Sequence, residues 1–438
     1  MAKIDTELIT EDVYKENHEF LDEKNIKFIE NEFIKLGFNM ELGGAITYFS
    51  EHGKENMINS HDWGRQIQMS YYSGPSPFSP KGVRKREEWK GFCWNPIQSG
   101  DCYFNKSKVI DSNFTKNTAY IKCIPMQWAL ENYPGDCTFE IWAKLNDKTV
   151  DFTCRLNNDR EDKNQYKGSV EAPAVYTTGK YYKCVSYVGE KPFTNDNLTE
   201  LCNKENRFGW VWLHEYTPEH WSALVDDDNY GLGVFSPRTT YTKVGFTPTE
   251  DMGVGGPKDN PTGYIAPILG FVCDYNVVHT YNYTLMIGSL DEIRTKSYEL
   301  AKNLDEKKYV FNGDRHNFSY VNGTDSGYPI KDCLDVEFKE FSQFISPFLF
   351  IDKSCKTIEI EMCFDKTVYI KFGLLRYDGL NERNVGIITE VSRAQHIKGT
   401  GKKEKYVFNI FEEGKSFHGF NLTFNEPVNV KIYSVEIK

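Results

Sequence analysis

Along this chain apolar and polar residues alternate far more often than they recur at helical spacing. From residue 31 onward, Ile34, Leu36, Phe38 and Met40 fall on one side, and Lys35, Gly37, Asn39 and Glu41 on the other. A period of two is that of a half-buried strand. Gly43-Gly44 then turns the chain, and Ala45-Ile46-Thr47-Tyr48-Phe49 opens a strand of β-branched and aromatic residues. Further strands are predicted over residues 119–125, 138–145, 149–157, 172–176, 183–188, 210–213, 221–225, 231–235 and 281–287. Many short strands with turn residues between them predict an all-β fold built on a large antiparallel sandwich.

One helix interrupts the series. Ser289-Leu290-Asp291-Glu292 has the form of a capping box, and Ile293, Ser297, Leu300, Ala301 and Leu304 fall on one face. It is expected to close a first domain over residues 26–304, preceded by a polar lead-in over 1–25. Strands predicted at 359–362, 368–375, 406–410 and 428–437 carry lysines on their polar sides. They predict a second, smaller β-sandwich or jelly-roll domain over 305–438, of a kind that serves as a carbohydrate-binding accessory.

Composition narrows the partners. The net charge of -11 sets aside nucleic acid and an anionic membrane as main partners. No apolar run reaches the roughly 18 residues of a membrane span. The N-terminus lacks the apolar core of a signal peptide, so a cytoplasmic protein is expected, or a secreted one if the chain is a trimmed mature form. Eleven cysteines occur without a Cys-x-x-Cys pair, which suits buried reduced thiols better than a zinc site or a disulfide framework. Gly253-Val254-Gly255-Gly256 has no strand–helix context for a phosphate loop, and no Gly-x-Ser-x-Gly elbow is present. Neither a cofactor nor a metal is expected.

Four clusters carry candidate chemistry. The first holds His61, Asp62, Arg65, Gln66, Gln68 and Tyr72. In an extended segment Gln66 and Gln68 share a face with Ser70 and Tyr72, while Arg65 and Tyr71 lie on the other. An Arg fork and amides suit vicinal hydroxyls or a carboxylate; the same residues could equally pin loops to the sheet. The second, Trp94, Asn95, Gln98 and Asp101, sits on a Pro/Gly-shaped loop, where an indole can stack on a sugar while amides bind its hydroxyls. The third is Glu171 entering an apolar strand with Tyr176, a candidate acid or base of raised pKa. The fourth is His214 and Glu215 with Glu219, His220 and Trp221. Its spacing is not His-Glu-x-x-His, and Pro218 disfavours a helix, so acid/base work or ordinary packing is expected there rather than metal.

Gly43-Gly44-Ala45-Ile46-Thr47-Tyr48-Phe49, Asn56-Met57-Ile58-Asn59 and Gly64-Arg65-Gln66 together resemble the N-terminal part of the galactose mutarotase-like superfamily. That resemblance implies a β-supersandwich, shared by aldose 1-epimerases and by domains of glycoside hydrolases and polysaccharide lyases, and a sugar ligand. The epimerases' mid-chain catalytic His has no clean counterpart: Val278-His279-Thr280-Tyr281-Asn282 comes late, next to the helix. Their late catalytic Glu has none either. The expectation is therefore an enzyme cleaving an oligo- or polysaccharide by hydrolysis or β-elimination. Glu171 or Glu219 would transfer protons with His61, His214 or His220, and Arg65 would hold an anionic group. Its rivals are a non-catalytic glycan-binding or structural β-protein and a sugar epimerase.

Overall fold

The computed structural model describes residues 21–438 except 210, 211, 305, 306, 383–385 and 413. The polar lead-in therefore lies outside the described residues up to residue 20, as do Trp210 and Val211.

Among the described residues the chain is all-β, with antiparallel pairing throughout the named strands. Ile26–Glu30, Ile34–Asn39 and Ala45–Glu51 form a three-stranded sheet. Ile34, Leu36 and Phe38 are fully buried in it, as their alternation predicts, whereas Asn39 from the polar side is buried too and Met40 only half-buried. The turn at Gly43 has φ 59°, and a Cβ there would stand 2.2 Å from the Gln98 carbonyl oxygen. Only glycine meets both conditions.

Two large sheets follow. In order across the sheet, the nine-stranded one runs Thr199–Cys202, Lys183–Ser186, Trp221–Val225, Tyr230–Phe235, Val278–Ser289, Thr149–Asn158, Cys137–Asn146, Thr118–Ile124 and Lys108–Phe114. The seven-stranded one runs Leu213–Tyr216, Tyr241–Thr247, Thr262–Cys273, Tyr166–Thr178, Gln68–Tyr72, Pro96–Ile97 and Met126–Gln127. Phe139, Phe152 and Leu156 from the first sheet pack with Val170, Val175, Ile265 and Phe271 from the second in one buried core. This is the expected sandwich. The helix Leu290–Ala301 lies on the other side of the nine-stranded sheet, where Ile293 packs with Trp221, Ala223, Val225 and Phe235. Its capping box is complete: the Ser289 hydroxyl accepts from Glu292 N–H, and the Glu292 carboxylate accepts from Ser289 N–H.

The remaining strands make a second nine-stranded sheet around a separate core that includes Phe318, Phe338, Phe344, Phe420 and Phe424. Its members Leu334–Ile345, Gly386–Lys398 and Gly419–Phe424 were not among the predicted strands. A buried ion cluster joins the two cores. Arg315 pairs with Asp325 at 2.6 Å and with Asp274, at the end of a seven-stranded-sheet strand, at 2.5 Å.

Candidate functional site

The opening polar stretch is extended only over Gln68–Tyr72; residues 59–67 are mostly turns and bends. Gln66 therefore precedes the strand and does not join the face of Gln68, Ser70 and Tyr72. The Arg65 guanidinium is engaged on three sides, by Asp62 at 3.0 Å, by Asn260 Oδ1 at 3.0 Å and by the Asn260 carbonyl. Gln66 donates to the Asp62 carbonyl at 2.6 Å, and Gln68 donates to Gly64 and accepts from Ser99 N–H. His61 Nδ1 meets the Lys258 carbonyl at 3.0 Å. These side chains tie loops to the sheet.

The second cluster does the same work. Gln98 accepts from Met69 N–H and donates to the Gly43 carbonyl, both at 3.0 Å. Asn95 donates to the Tyr71 carbonyl at 2.7 Å. Asp101 is buried and accepts from the N–H groups of Tyr103, Asn105 and Asn132. Burial pushes its pKa up, and those bonds pull the other way. Trp94 is fully buried, with the Arg160 guanidinium 5.1 Å from its ring centroid.

The fourth cluster is divided between two sheets. Leu213–Tyr216 belongs to the seven-stranded sheet and Trp221–Val225 to the nine-stranded one. Glu219, 0% exposed, accepts from Phe193 N–H, Tyr298 OH, Arg294 and Trp221 Nε1–H at 2.7–3.2 Å. Its carboxylate anchors the helix to the sheet. His220 is buried beside it, Nδ1 at 3.0 Å from the Thr239 carbonyl.

What remains is the face of the seven-stranded sheet turned away from the shared core. Val170, Ala172 and Val175 enter that core, so the strand breaks its parity between them. A register shift between Glu171 and Val175 accomplishes this and leaves both Glu171 and Tyr176 on the outer face. Glu171 lies opposite Ser70 and Ile268; Tyr176 lies opposite Tyr264. Lys243 sits between His214 and Ala266.

Glu171 is 8% exposed, and its Oε1 accepts the Tyr264 hydroxyl at 2.6 Å. Burial raises its pKa, while the Lys243 charge and the hydroxyls of Tyr264 and Tyr72 oppose the rise. Trp212 stacks on Tyr264, centroids 4.4 Å apart at 20°, and Tyr176 leans on the same ring at 4.8 Å. Gly245 makes room for that indole: a Cβ there would stand 2.7 Å from it. At the sheet edge His214 Nδ1 meets the Tyr241 hydroxyl at 2.7 Å. Burial, then Lys243, brings His214 down to about 4. Tyr241 stacks in turn on Phe348 of the second sheet unit at 4.4 Å. The Lys243 ammonium has no ion pair or hydrogen bond among the described residues, and its charge acts on Glu171 and His214. No group of three or more His, Cys, Asp or Glu among the described residues could hold a metal ion.

Of the residues singled out in the sequence, this face gathers Glu171, Tyr72, Tyr176 and His214, with Asp62 and Arg65 near enough to Tyr176 for their charges to bear on it. It adds Lys243, Tyr264, Trp212 and Tyr241. Tyr241 and Lys243 show the period-two signal within their own strand, but nothing in the sequence says which strand lies beside Glu171.

No protein-family model matches the chain, and no curated protein matches its sequence. Solved structures overlap the chain at low similarity. A galactose mutarotase related enzyme from Lactobacillus acidophilus is 12% identical, over 60% of this chain and 97% of that one, with TM-score 0.37. A galactose mutarotase-like protein from Lactobacillus casei ATCC 334 is 10% identical over 60% and 99%, TM-score 0.38. A polysaccharide lyase is 9% identical over 92% of this chain and 46% of its own, TM-score 0.33. Likeness of this order leaves the activity of this chain open.

Proposed function

We propose that the outer face of the seven-stranded sheet binds a glycan and cleaves it by β-elimination at a uronate. The observation that carries this is the Lys243 ammonium, without an ion pair or hydrogen bond among the described residues, acting on both a buried, raised-pKa Glu171 and a neutral His214. Tyr176, the part-exposed member of a stack with the buried Tyr264 and Trp212, offers an aromatic surface for a sugar ring. The uronate carboxylate pairs with Lys243. With Nδ1–H donated to Tyr241, His214 Nε2 takes the C5 proton, the C4–O4 bond breaks as a C4=C5 double bond forms, and Glu171 gives its proton to the departing oxygen.

Electrostatics favours an anionic substrate here. The Lys243 charge holds down the pKa of both partners. A bound carboxylate cancels that charge, so both values rise: Glu171 keeps its proton better, and His214 becomes a stronger base. The backbones of Glu171 and His214 are three strand spacings apart across the sheet, about 14 Å, and offset by two residues along it, a span for two side chains and a sugar ring. Hydrolysis is less well supported, because it needs a second carboxylate about 5–10 Å from the first. Asp62 is held by Arg65, and Glu215 stands on the edge strand accepting from Tyr216 N–H.

The test is a panel of neutral and uronate-containing polysaccharides, followed by reducing ends and by the ultraviolet absorbance of unsaturated uronate. Elimination predicts both signals, lost in Glu171→Gln. Reducing ends without absorbance would replace elimination by hydrolysis. Silence in both assays with anomer interconversion of a free sugar would favour an epimerase, which also uses a Glu and a His. Binding without any turnover would leave a lectin-like face.

A further inference from the structure

Cys184 and Cys202 are the one cysteine pair placed directly opposite each other in register among the described residues, on neighbouring antiparallel strands. The other strand cysteines face different residues: Cys123 faces Phe139, Cys154 faces Ile141 and Tyr281, Cys273 faces Tyr166, and Cys363 faces Lys431. Both Cys184 and Cys202 are fully buried, both are free thiols, and both join the same core cluster, so their side chains leave the sheet on the same side. Direct partners in an antiparallel pair keep Cα atoms about 4.5–5.5 Å apart, inside the range a disulfide spans without backbone movement.

We propose that Cys184 and Cys202 are a reversible disulfide site that staples the outermost strand of the nine-stranded sheet. Thr199–Cys202 is one of the two edge strands of that sheet and pairs on one side only, so it opens more readily than the central strands. Burial keeps both thiols protonated while the edge is closed, with Cys202 raised to about 11, so the step belongs to the opened edge. The co-reactant is a low-molecular-weight disulfide. The Cys202 thiolate attacks one of its sulfurs and expels one thiol. The Cys184 thiolate then attacks the Cys202 sulfur of the mixed disulfide and expels the second. Two protein thiols are oxidised, the small disulfide is reduced to two thiols, and the protons released by the cysteines end on the leaving thiolates.

The staple has a structural consequence. The Cys202 thiol donates to the Phe208 carbonyl at 3.7 Å, and Phe246 N–H donates to the same oxygen at 2.8 Å. That carbonyl lies beside Gly245, on which the Trp212 indole rests. Oxidation removes the thiol donor and fixes the strand from which the chain runs on to Trp212. The inference stands whatever the outer face binds.

The folded full-length chain is incubated with oxidised glutathione, alkylated, digested without reductant and mapped by mass spectrometry. The expected result is a cross-linked peptide pair joining Cys184 to Cys202, reversed by dithiothreitol, with the other nine of eleven cysteines alkylated. Amide exchange over residues 199–209 should slow in the oxidised protein and recover on reduction. A glutathione adduct that never resolves into the cross-link would overturn the proposal, as would both cysteines remaining reduced. Cys202→Ala should abolish the cross-link and the exchange change; an unchanged oxidation response in that variant would also overturn it.

Discussion

Two regions of this molecule are equally polar by sequence and opposite in how that polarity is used. Around Arg65, Gln68, Gln98 and Asp101 the side-chain atoms are bonded to backbone groups of neighbouring loops. Around Glu171 the set is less complete: a buried acid held by tyrosine hydroxyls, a cation with no ion pair or hydrogen bond among the described residues, and a neutral imidazole. A closed network holds a structure together, because each buried bond is costly to leave unmade. An incomplete one is where a ligand completes the pairing. Polar density alone therefore does not mark a site.

The largest expected effect is on the Glu171 side of this contrast. Glu171→Gln should lower turnover of the cleaved glycan by roughly 10²–10⁴-fold, the usual size of a lost general acid, without lowering thermal stability. Activity loss that merely tracked unfolding would place Glu171 with the loop-pinning residues. Next comes Lys243→Gln. Losing a charged contact of about 1.5–3 kcal/mol should weaken kcat/KM on a uronate substrate by roughly tenfold to a hundredfold. Binding of a neutral oligosaccharide should change little. Equal losses on both would remove the anion-binding role.

Gln98→Ala probes the other region. It leaves Met69 N–H and the Gly43 carbonyl without their partner, so stability should fall by about 1–3 kcal/mol in chemical denaturation. The kcat/KM of the protein that remains folded should be unchanged. A specific loss of glycan affinity in that variant would return the second cluster to the site.

What was legible in the sequence follows from what periodicity encodes. Alternation placed Ile34, Leu36 and Phe38 in the core, and the capping box placed the helix start at Ser289. Both are local signals. Glu171 was found because an acid inside an apolar run is a local anomaly. Lys243 and Tyr264 were not, because the order of strands in a sheet is set by long-range pairing that one strand's pattern does not contain. The separation of His214 from His220 was hidden for the same reason. Neighbours in sequence, the two ends were carried onto different sheets by the turn through Pro218. Gln68 and Gln98 show another limit: an amide that binds a hydroxyl and one that caps a loop have the same composition, and only their partners tell them apart.

The smallest effect gives the sharpest comparison, since it makes the same chemical change in both regions. Burial raises the pKa of Glu171 and of Asp101 alike. Each folded-state value stands above the unfolded one, so between the two the folded state holds more protons, and stability falls as pH rises through the folded value. At Glu171 a neutral amide keeps an acceptor for the Tyr264 hydroxyl and removes the cost of ionisation. Glu171→Gln should therefore match the parent below about pH 4 and exceed its melting temperature increasingly as pH rises from there to the folded value, above which the difference levels off. At Asp101 three backbone N–H groups and the Asn105 amide converge on the carboxylate. Asp101→Asn replaces one acceptor oxygen by a donor facing those N–H groups, and so should lower the melting temperature across the whole range. Melting curves of both variants against pH decide it: if the two shifts carry the same sign, the outer face is as closed a network as the loops.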